Sequence, residues 1–345
     1  MKICFATYEG VPLAKGGPYI KILETKKYLE NLNHQVELFN MWETPAKLKT
    51  FDAVHLVGSN LSIFGLARNL KHLGINFIVE PVFFSMHSPS LIKTISSADL
   101  IMKRIIRGSW TDYGILRDIC LMADIITPNT TDERNLIAES FSISRDKFKV
   151  IPNGVSSSFL NADPELFKKK YGLEKFILNV GHIGPKRKNI LNFIKALNKI
   201  DYPAVIIGKY LNMGESSAVK READKNKNIL FIDELPNDSP LLASAYAACS
   251  CFVLPSLYET PGIAALEAAL AGAKVVITKH GGTKDYFKDM AEYVDDPLSP
   301  DSIAGAVKAS LHAPKDGRLR EFIKQNFLWE KITERSLDIY QSLKR

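Results

Sequence analysis

Short apolar runs alternate with longer amphipathic stretches along almost the whole chain, and this alternation admits few folds. Residues 2–7, 36–39, 53–57, 77–79, 124–128 and 149–151 read as strands, as do 176–180, 204–208, 229–232, 251–254 and 274–278. Helical stretches such as 19–31, 64–72, 110–122, 190–198 and 241–248 lie between them, and 330–343 reads as a closing helix. A βαβα rhythm of this kind predicts parallel sheets covered on both faces. The 345 residues suffice for two such domains, each with its own core. Turn residues gather at Pro152-Asn153-Gly154-Val155-Ser156, so the domain boundary is expected there.

The sequence is 46% apolar and 24% charged, with a net charge of +7. No apolar run approaches the roughly 18–20 residues of a membrane span. The amino terminus meets a charge at Glu9 and reads as a first strand rather than a signal peptide. The positive excess suits an anionic substrate and leaves peripheral contact with an acidic membrane surface open. Nucleic acid is not expected as a partner, because no binding motif or concentrated basic stripe is present. Cys4, Cys120, Cys249 and Cys251 sit in apolar surroundings without metal-site spacing, which predicts buried, reduced thiols and a cytoplasmic protein.

One stretch carries most of the chemistry. The apolar run 251–257 leads into Tyr258-Glu259-Thr260-Pro261-Gly262-Ile263-Ala264-Ala265-Leu266-Glu267, and a small-residue run follows. Strand, turn and helix is the simplest reading. Gly262 lets a ligand approach the backbone closely, and a helix start offers unpaired N–H groups to a phosphate. Carboxylates on both sides, Glu259 and Glu267, can accept hydrogen bonds from hydroxyls. A phosphate seat between two carboxylates suits a sugar nucleotide; the plainer alternative is a helix start with two surface glutamates.

Two further loops have a similar layout. After the first strand comes a Gly-rich loop ending in Gly16-Gly17-Pro18, followed by a helix. After the strand at 176–180 comes Gly181-His182-Ile183-Gly184-Pro185-Lys186-Arg187-Lys188-Asn189, with three consecutive cations beside a helix start. Cations at a strand's carboxyl end suit a diphosphate. His87 lies in a loop after the strand at 77–79, where ligand groups collect. His280, in a His-Gly-Gly turn, reads as structural.

Taken together, these residues resemble the retaining, nucleotide-sugar-dependent glycosyltransferases of family 4. The resemblance rests on Gly16-Gly17, Ile151-Pro152-Asn153-Gly154-Val155, the Val180-Gly181 turn with its basic loop, Glu259 and Glu267 separated by seven residues, and Trp329-Glu330. It implies a GT-B fold: an α/β chain of two Rossmann-like parallel-sheet domains facing a cleft. The acceptor-side domain would span 1–155 and the donor-side domain 156–328, with a helix in 329–345 returning to the first domain.

The resemblance also implies roles. Lys188, or Arg187 if the spacing is one shorter, would hold the diphosphate together with backbone at Gly262 and Ile263. Glu267 would take the ribose hydroxyls. Glu259 would sit near the reacting carbon, acting in positioning and electrostatics. Gly17 would let the first-domain loop approach the phosphates. The partners would be a nucleoside-diphosphate sugar and a glycan, lipid-linked or other acceptor. No cofactor and no metal are expected.

Two features depart from the family pattern. His182 stands where an arginine is usual; histidine can donate to phosphate but is charged only part of the time near neutral pH. Glu80-Pro81-Val82 stands where a histidine often follows the first-domain strand, and His87 is the candidate to replace it. Two other readings therefore stay open: a non-catalytic binder of sugar nucleotide or glycan, and a sugar-nucleotide epimerase or phosphorylase.

Overall fold

The computed structural model describes residues 1–14, 16–106 and 110–343. It divides into two compact units, Met1–Gly154 with Trp329–Arg345, and Val155–Leu328. Each unit holds one all-parallel sheet. In the first, β1 (Lys2–Thr7), β2 (Gln35–Leu38), β3 (Ala53–Val57), β4 (Phe77–Glu80) and β5 (Ile125–Ile126) run in the order β2-β1-β3-β4-β5. In the second, β6 (Ile177–Val180), β7 (Ala204–Ile207), β8 (Ile229–Ile232), β9 (Cys251–Leu254), β10 (Val275–Thr278) and β11 (Glu292–Val294) run in the order β11-β10-β9-β6-β7-β8.

Strands covered on both faces lose the polar–apolar alternation of a half-exposed sheet. All of β3, β7, β9 and β10 is buried. Helix starts are fixed by short polar side chains. Asn60, Ser88, Thr111 and Thr130 each accept a hydrogen bond from a backbone N–H in the first turn of the helix they precede. All four cysteines are free and buried. No helix among the described residues is long and apolar enough to cross a membrane.

The helix Trp329–Ser342 belongs to the first unit. Trp329 packs so closely on Gly154 that a Cβ there would lie 2.4 Å from its Cδ2. Tyr340 Oη and His55 Nδ1 share a hydrogen bond at 2.9 Å, both groups being buried. The same unit encloses an ion pair, Lys21 with Glu80 at 2.9 Å, and Lys21 also donates to Asn129 Oδ1 and the Ile151 carbonyl. A buried cation needs such a full set of acceptors.

The expected strand at 149–151 does not form; only Phe148 bridges to Ile126. Lys149 and Ile151 donate to the carbonyls of Ile126 and Pro128. Pro128 has no N–H to return, so the ladder stops. The helix Pro89–Ile105 lies partly where a loop was expected, and β11 and the helices Pro300–His312 and Arg318–Asn326 were not foreseen.

Candidate functional site

The second unit gathers the basic loop and the two-glutamate motif at the carboxyl ends of β6 and β9. From β9 the chain turns through Pro255–Gly262 into the helix Ile263–Leu270. Gly262 is that helix's N-cap at φ +84, where a Cβ would lie 2.7 Å from Leu254 Cδ2. Glycine is the residue that this left-handed, crowded position tolerates. Ile263 is the first helical residue.

Glu259 is 5% exposed. Its Oε1 accepts from Lys188 Nζ at 2.7 Å and Ser256 Oγ at 2.7 Å, with Arg187 Nη1 at 3.2 Å. Arg187 also donates to the Tyr258 carbonyl and lies 5.4 Å from the centre of the Tyr258 ring. Burial opposes the charge on Glu259, but Lys188 and then Arg187 outweigh it, and the pKa lies below the ordinary 4.5. The carboxylate is therefore ionised at neutral pH, with two cations already assembled on it.

The backbone braces this arrangement from two sides. Glu259 N–H donates to the His280 carbonyl, and Leu257 N–H to the Arg187 carbonyl. The cations Lys186–Lys188 form a single 3-10 turn that ends at Asn189, which has φ +58. Asn189 is buried and donates through Nδ2 to the Pro255 and Pro297 carbonyls, lacing the basic loop to the Glu259 turn.

Glu267 is 4% exposed. Its Oε1 accepts from Asn237 Nδ2 at 2.6 Å and its Oε2 from Tyr246 Oη at 2.8 Å. Burial raises its pKa to about 7, with the Asn237 and Tyr246 bonds working against the rise. Such a group binds a proton more tightly folded than unfolded. Its contribution to stability is complete below pH 4.5 and is lost as pH rises through about 7. Glu267→Gln is therefore expected to remove on the order of 2–3 kcal/mol of pH-dependent destabilisation between those limits. Urea denaturation of both proteins across that range measures it; parallel curves would contradict the assignment. Glu133, in the first unit, titrates in the same window and is common to both proteins.

His182 is the weakest member. Its Nε2 lies 3.8 Å from Glu234 Oε1, and the side chain is partly exposed. His87 and Gly17 belong to the first unit. His87 is exposed and pairs through Nδ1 with Tyr113 Oη at 2.8 Å, which also meets Ser85 Oγ. Its loop is pinned upstream, where Phe83 N–H donates to Glu133 Oε1, next to Val82 at φ +52. A β-branched residue in that region is strained. Gly17 opens the helix Gly17–Asn31, whose N-cap Gly16 offers no side chain to the first amides; Lys15, in the same loop, lies outside the described residues.

Sequence reasoning missed Ser256, Asn237, Tyr246 and Asn189. Asn189 carried a signal, since an asparagine at a helix start after a basic run is a cap residue. Tyr246 reads only as core in the sequence. A hollow between Asn198, Asp201, Asn226 and Asn228 lies before the amino ends of β7 and β8, and its walls already pair Asn226 with Asn198 and Asn228 with Asp201. Among the described residues no group of three or more His, Cys, Asp or Glu side chains is placed to hold a metal ion.

Residues 164–327 match the family model for glycosyl transferases group 1. That segment, just under half of the chain, is similar to the GT4-like glycosyltransferases. The matched segment covers most of the second unit and contains the basic loop and both glutamates. An uncharacterised glycosyltransferase of Methanocaldococcus jannaschii is 28% identical over 226 residues, covering 59% of this chain and 56% of that protein. The N-acetylgalactosamine-N,N'-diacetylbacillosaminyl-diphospho-undecaprenol 4-alpha-N-acetylgalactosaminyltransferase of Campylobacter jejuni is 26% identical over 48% of this chain and 45% of its own length. The chain thus spans about half the length of these curated relatives.

Among solved structures, the sucrose-phosphate synthase of Thermosynechococcus elongatus superposes with a TM-score of 0.79 at 17% identity, covering 99% of each chain. The Anabaena HepE protein, solved in complex with UDP, gives 0.75 at 18% identity over 99% of this chain and 100% of that one. At such identities the likeness is one of fold, and the fold is GT-B.

Proposed function

We propose that this chain is a retaining, metal-independent glycosyltransferase that moves a sugar from a nucleoside-diphosphate sugar to a glycan, lipid-linked or other acceptor. The observation that carries the reading is the buried, ionised Glu259 held by Lys188 and Arg187 beside the helix start at Gly262 and Ile263. Bond cleavage at the donor's anomeric carbon leaves the electron pair on the diphosphate, and stabilising that charge is the main electrostatic task. Lys188, Arg187 and the amides of the helix start are fixed before any ligand arrives, so little reorganisation is needed. His182 adds a donor at the same loop.

Glu267 takes the ribose hydroxyls in this reading. Asn237, from an exposed loop, is the partner that a hydroxyl displaces, and Tyr246 holds the other oxygen in place. Glu259 positions the donor sugar. The reading also assigns roles in the first unit to Gly17, for the phosphates, and to His87, which pairs with Tyr113, for the reacting sugar. The four buried thiols support a cytoplasmic location. The UDP-bound structural relative puts UDP-sugars first among donors to test.

Proton NMR of the donor's anomeric signal, recorded in EDTA with and without acceptor glycans, tests the proposal. Transfer predicts loss of donor and release of nucleoside diphosphate only with acceptor, and a product of the donor's own anomeric configuration. Conversion of the sugar nucleotide without acceptor would indicate an epimerase. Binding without turnover would indicate a non-catalytic protein, and an inverted product would contradict retention.

A further inference from the structure

The loops that follow β4 and β5 meet on one side chain. Glu133, in the first turn of the helix Thr131–Phe141, is fully buried. Its Oε1 accepts from the Phe83 N–H at 2.7 Å and its Oε2 from the Asn129 N–H at 2.7 Å. The Thr130 hydroxyl accepts from the Glu133 N–H at 3.0 Å, as an N-cap does. A glutamate at this third helical position ordinarily reaches back to the N-cap of its own helix. Here one oxygen goes to the residue before the cap, and the other leaves the helix for a loop fifty residues away in sequence.

That second bond holds strained backbone. Phe83 follows Val82, whose φ of +52 is costly for a β-branched residue. Downstream, Ser85 Oγ accepts from the His87 N–H at 3.1 Å and pairs with Tyr113 Oη at 2.9 Å, and the Phe83 ring meets the Tyr113 ring edge-on at 6.0 Å. The segment that carries His87 is thus tied at its start by Glu133 and at its end by Tyr113.

Charge makes the first tie conditional. Lys21 on the helix Gly17–Asn31 and Glu80 on β4 act on Glu133, and Cys120 lies near it on the helix Asp112–Met122. From the helix Pro89–Ile105, Lys93 reaches Ser142, beyond the far end of the Glu133 helix. Lys21 is already committed to Glu80, Asn129 Oδ1 and the Ile151 carbonyl, so the Glu133 carboxylate is held by backbone dipoles and not by a cation of its own. Burial outweighs the two N–H bonds and raises its pKa to about 7. A protonated carboxyl keeps one good acceptor and turns its other oxygen into a donor. One N–H then loses its partner. Asn129 is buried and anchored through its side chain to Lys21, whereas Phe83 is partly buried and its bond holds strained backbone. The Phe83 bond is therefore the one that yields.

We infer that Glu133 is a positioning residue: as a carboxylate it latches the segment 82–87, and with it His87, through the Phe83 N–H, and on taking up a proton it lets that segment go. What the latch does for transfer rests on the proposed function; the test reads the latch alone, so the two fail separately. Amide NMR of the full chain from about pH 6 to about pH 8 follows Phe83 and Ser85. Wild type is expected to show both signals moving together with a midpoint of about 7. Glu133→Gln, neutral at every pH, is expected to hold both at their low-pH positions and to exchange the Phe83 amide at least about tenfold faster than wild type at the upper limit. Val82→Gly relieves the backbone strain and is expected to move the midpoint to lower pH, which keeps the test decisive if the glutamine variant does not fold. A Phe83 signal without the step, a Ser85 signal that stays still while Phe83 moves, the same step in folded Glu133→Gln, or an unchanged midpoint in Val82→Gly would overturn the inference.

Discussion

Glu259→Gln is expected to lower kcat by about a hundred- to a thousandfold while nucleoside diphosphate binds at least as tightly as before. The amide keeps the shape of the side chain and its link to Ser256. It loses the negative charge on which Lys188 and Arg187 converge. Two cations without their anion form a stronger seat for a diphosphate, so affinity in the ground state does not fall. What is lost is the carboxylate that aligns the donor sugar as charge develops on the leaving group. Removing one preorganised electrostatic contact of this kind costs about 3–4 kcal/mol of activation free energy. Steady-state kinetics with calorimetric titration of the product nucleotide separates the two effects. A parallel loss of affinity and turnover would assign Glu259 to simple binding. The low pKa of Glu259 adds a check of sign: its ion pairs stabilise the fold above pH 4.5, and that contribution fades as pH falls through the depressed value.

Gly281→Ala is expected to destabilise the second unit by about 3–4 kcal/mol, near the upper end of single-residue effects. Gly281 has φ +96, and a Cβ there would lie 2.3 Å from the Glu259 carbonyl oxygen and 2.8 Å from its nitrogen. Both obstacles are backbone, so no side chain can swing aside. The turn that follows β10 would have to move, taking with it the His280 carbonyl that receives the Glu259 N–H. Gly65→Ala is the control. Gly65 sits in the helix Leu61–His72 with nothing within 4 Å of its Cβ position, and alanine there is expected to add about 0.5–1 kcal/mol. Chemical denaturation of both variants measures the contrast. Native stability in Gly281→Ala would mean that the turn does not approach Glu259 as described.

Both sheets were legible in the sequence because their strands are continuous apolar runs set between amphipathic stretches. The strand, turn and helix around Glu259, Gly262 and Glu267, and the basic loop after β6, were legible because each is a short contiguous segment. Pairings between distant segments were not. Nothing in the order of residues says that Asn237 meets Glu267, thirty positions away, or that Asn189 laces its loop to Pro255 and Pro297. The strand expected at 149–151 depended on an N–H that Pro128 lacks. The helix at 89–105 was hard to see for a different reason. Residues on both its faces are apolar, so the single stripe that marks an ordinary surface helix is blurred.

In the proposed reading, Lys188, Arg187, Glu259 and Glu267 form one nucleotide-diphosphate seat that works without metal. The most direct measurement is the thermal midpoint of wild type, Lys188→Ala and Glu267→Ala with UDP, GDP and ADP, in EDTA and again with magnesium. A ligand at a hundred times its Kd adds about 2.7 kcal/mol to the folded state. One nucleotide is expected to raise the wild-type midpoint equally in both buffers and to leave both variants unmoved. No shift with any nucleotide, or the same shift in the variants, would contradict the claim.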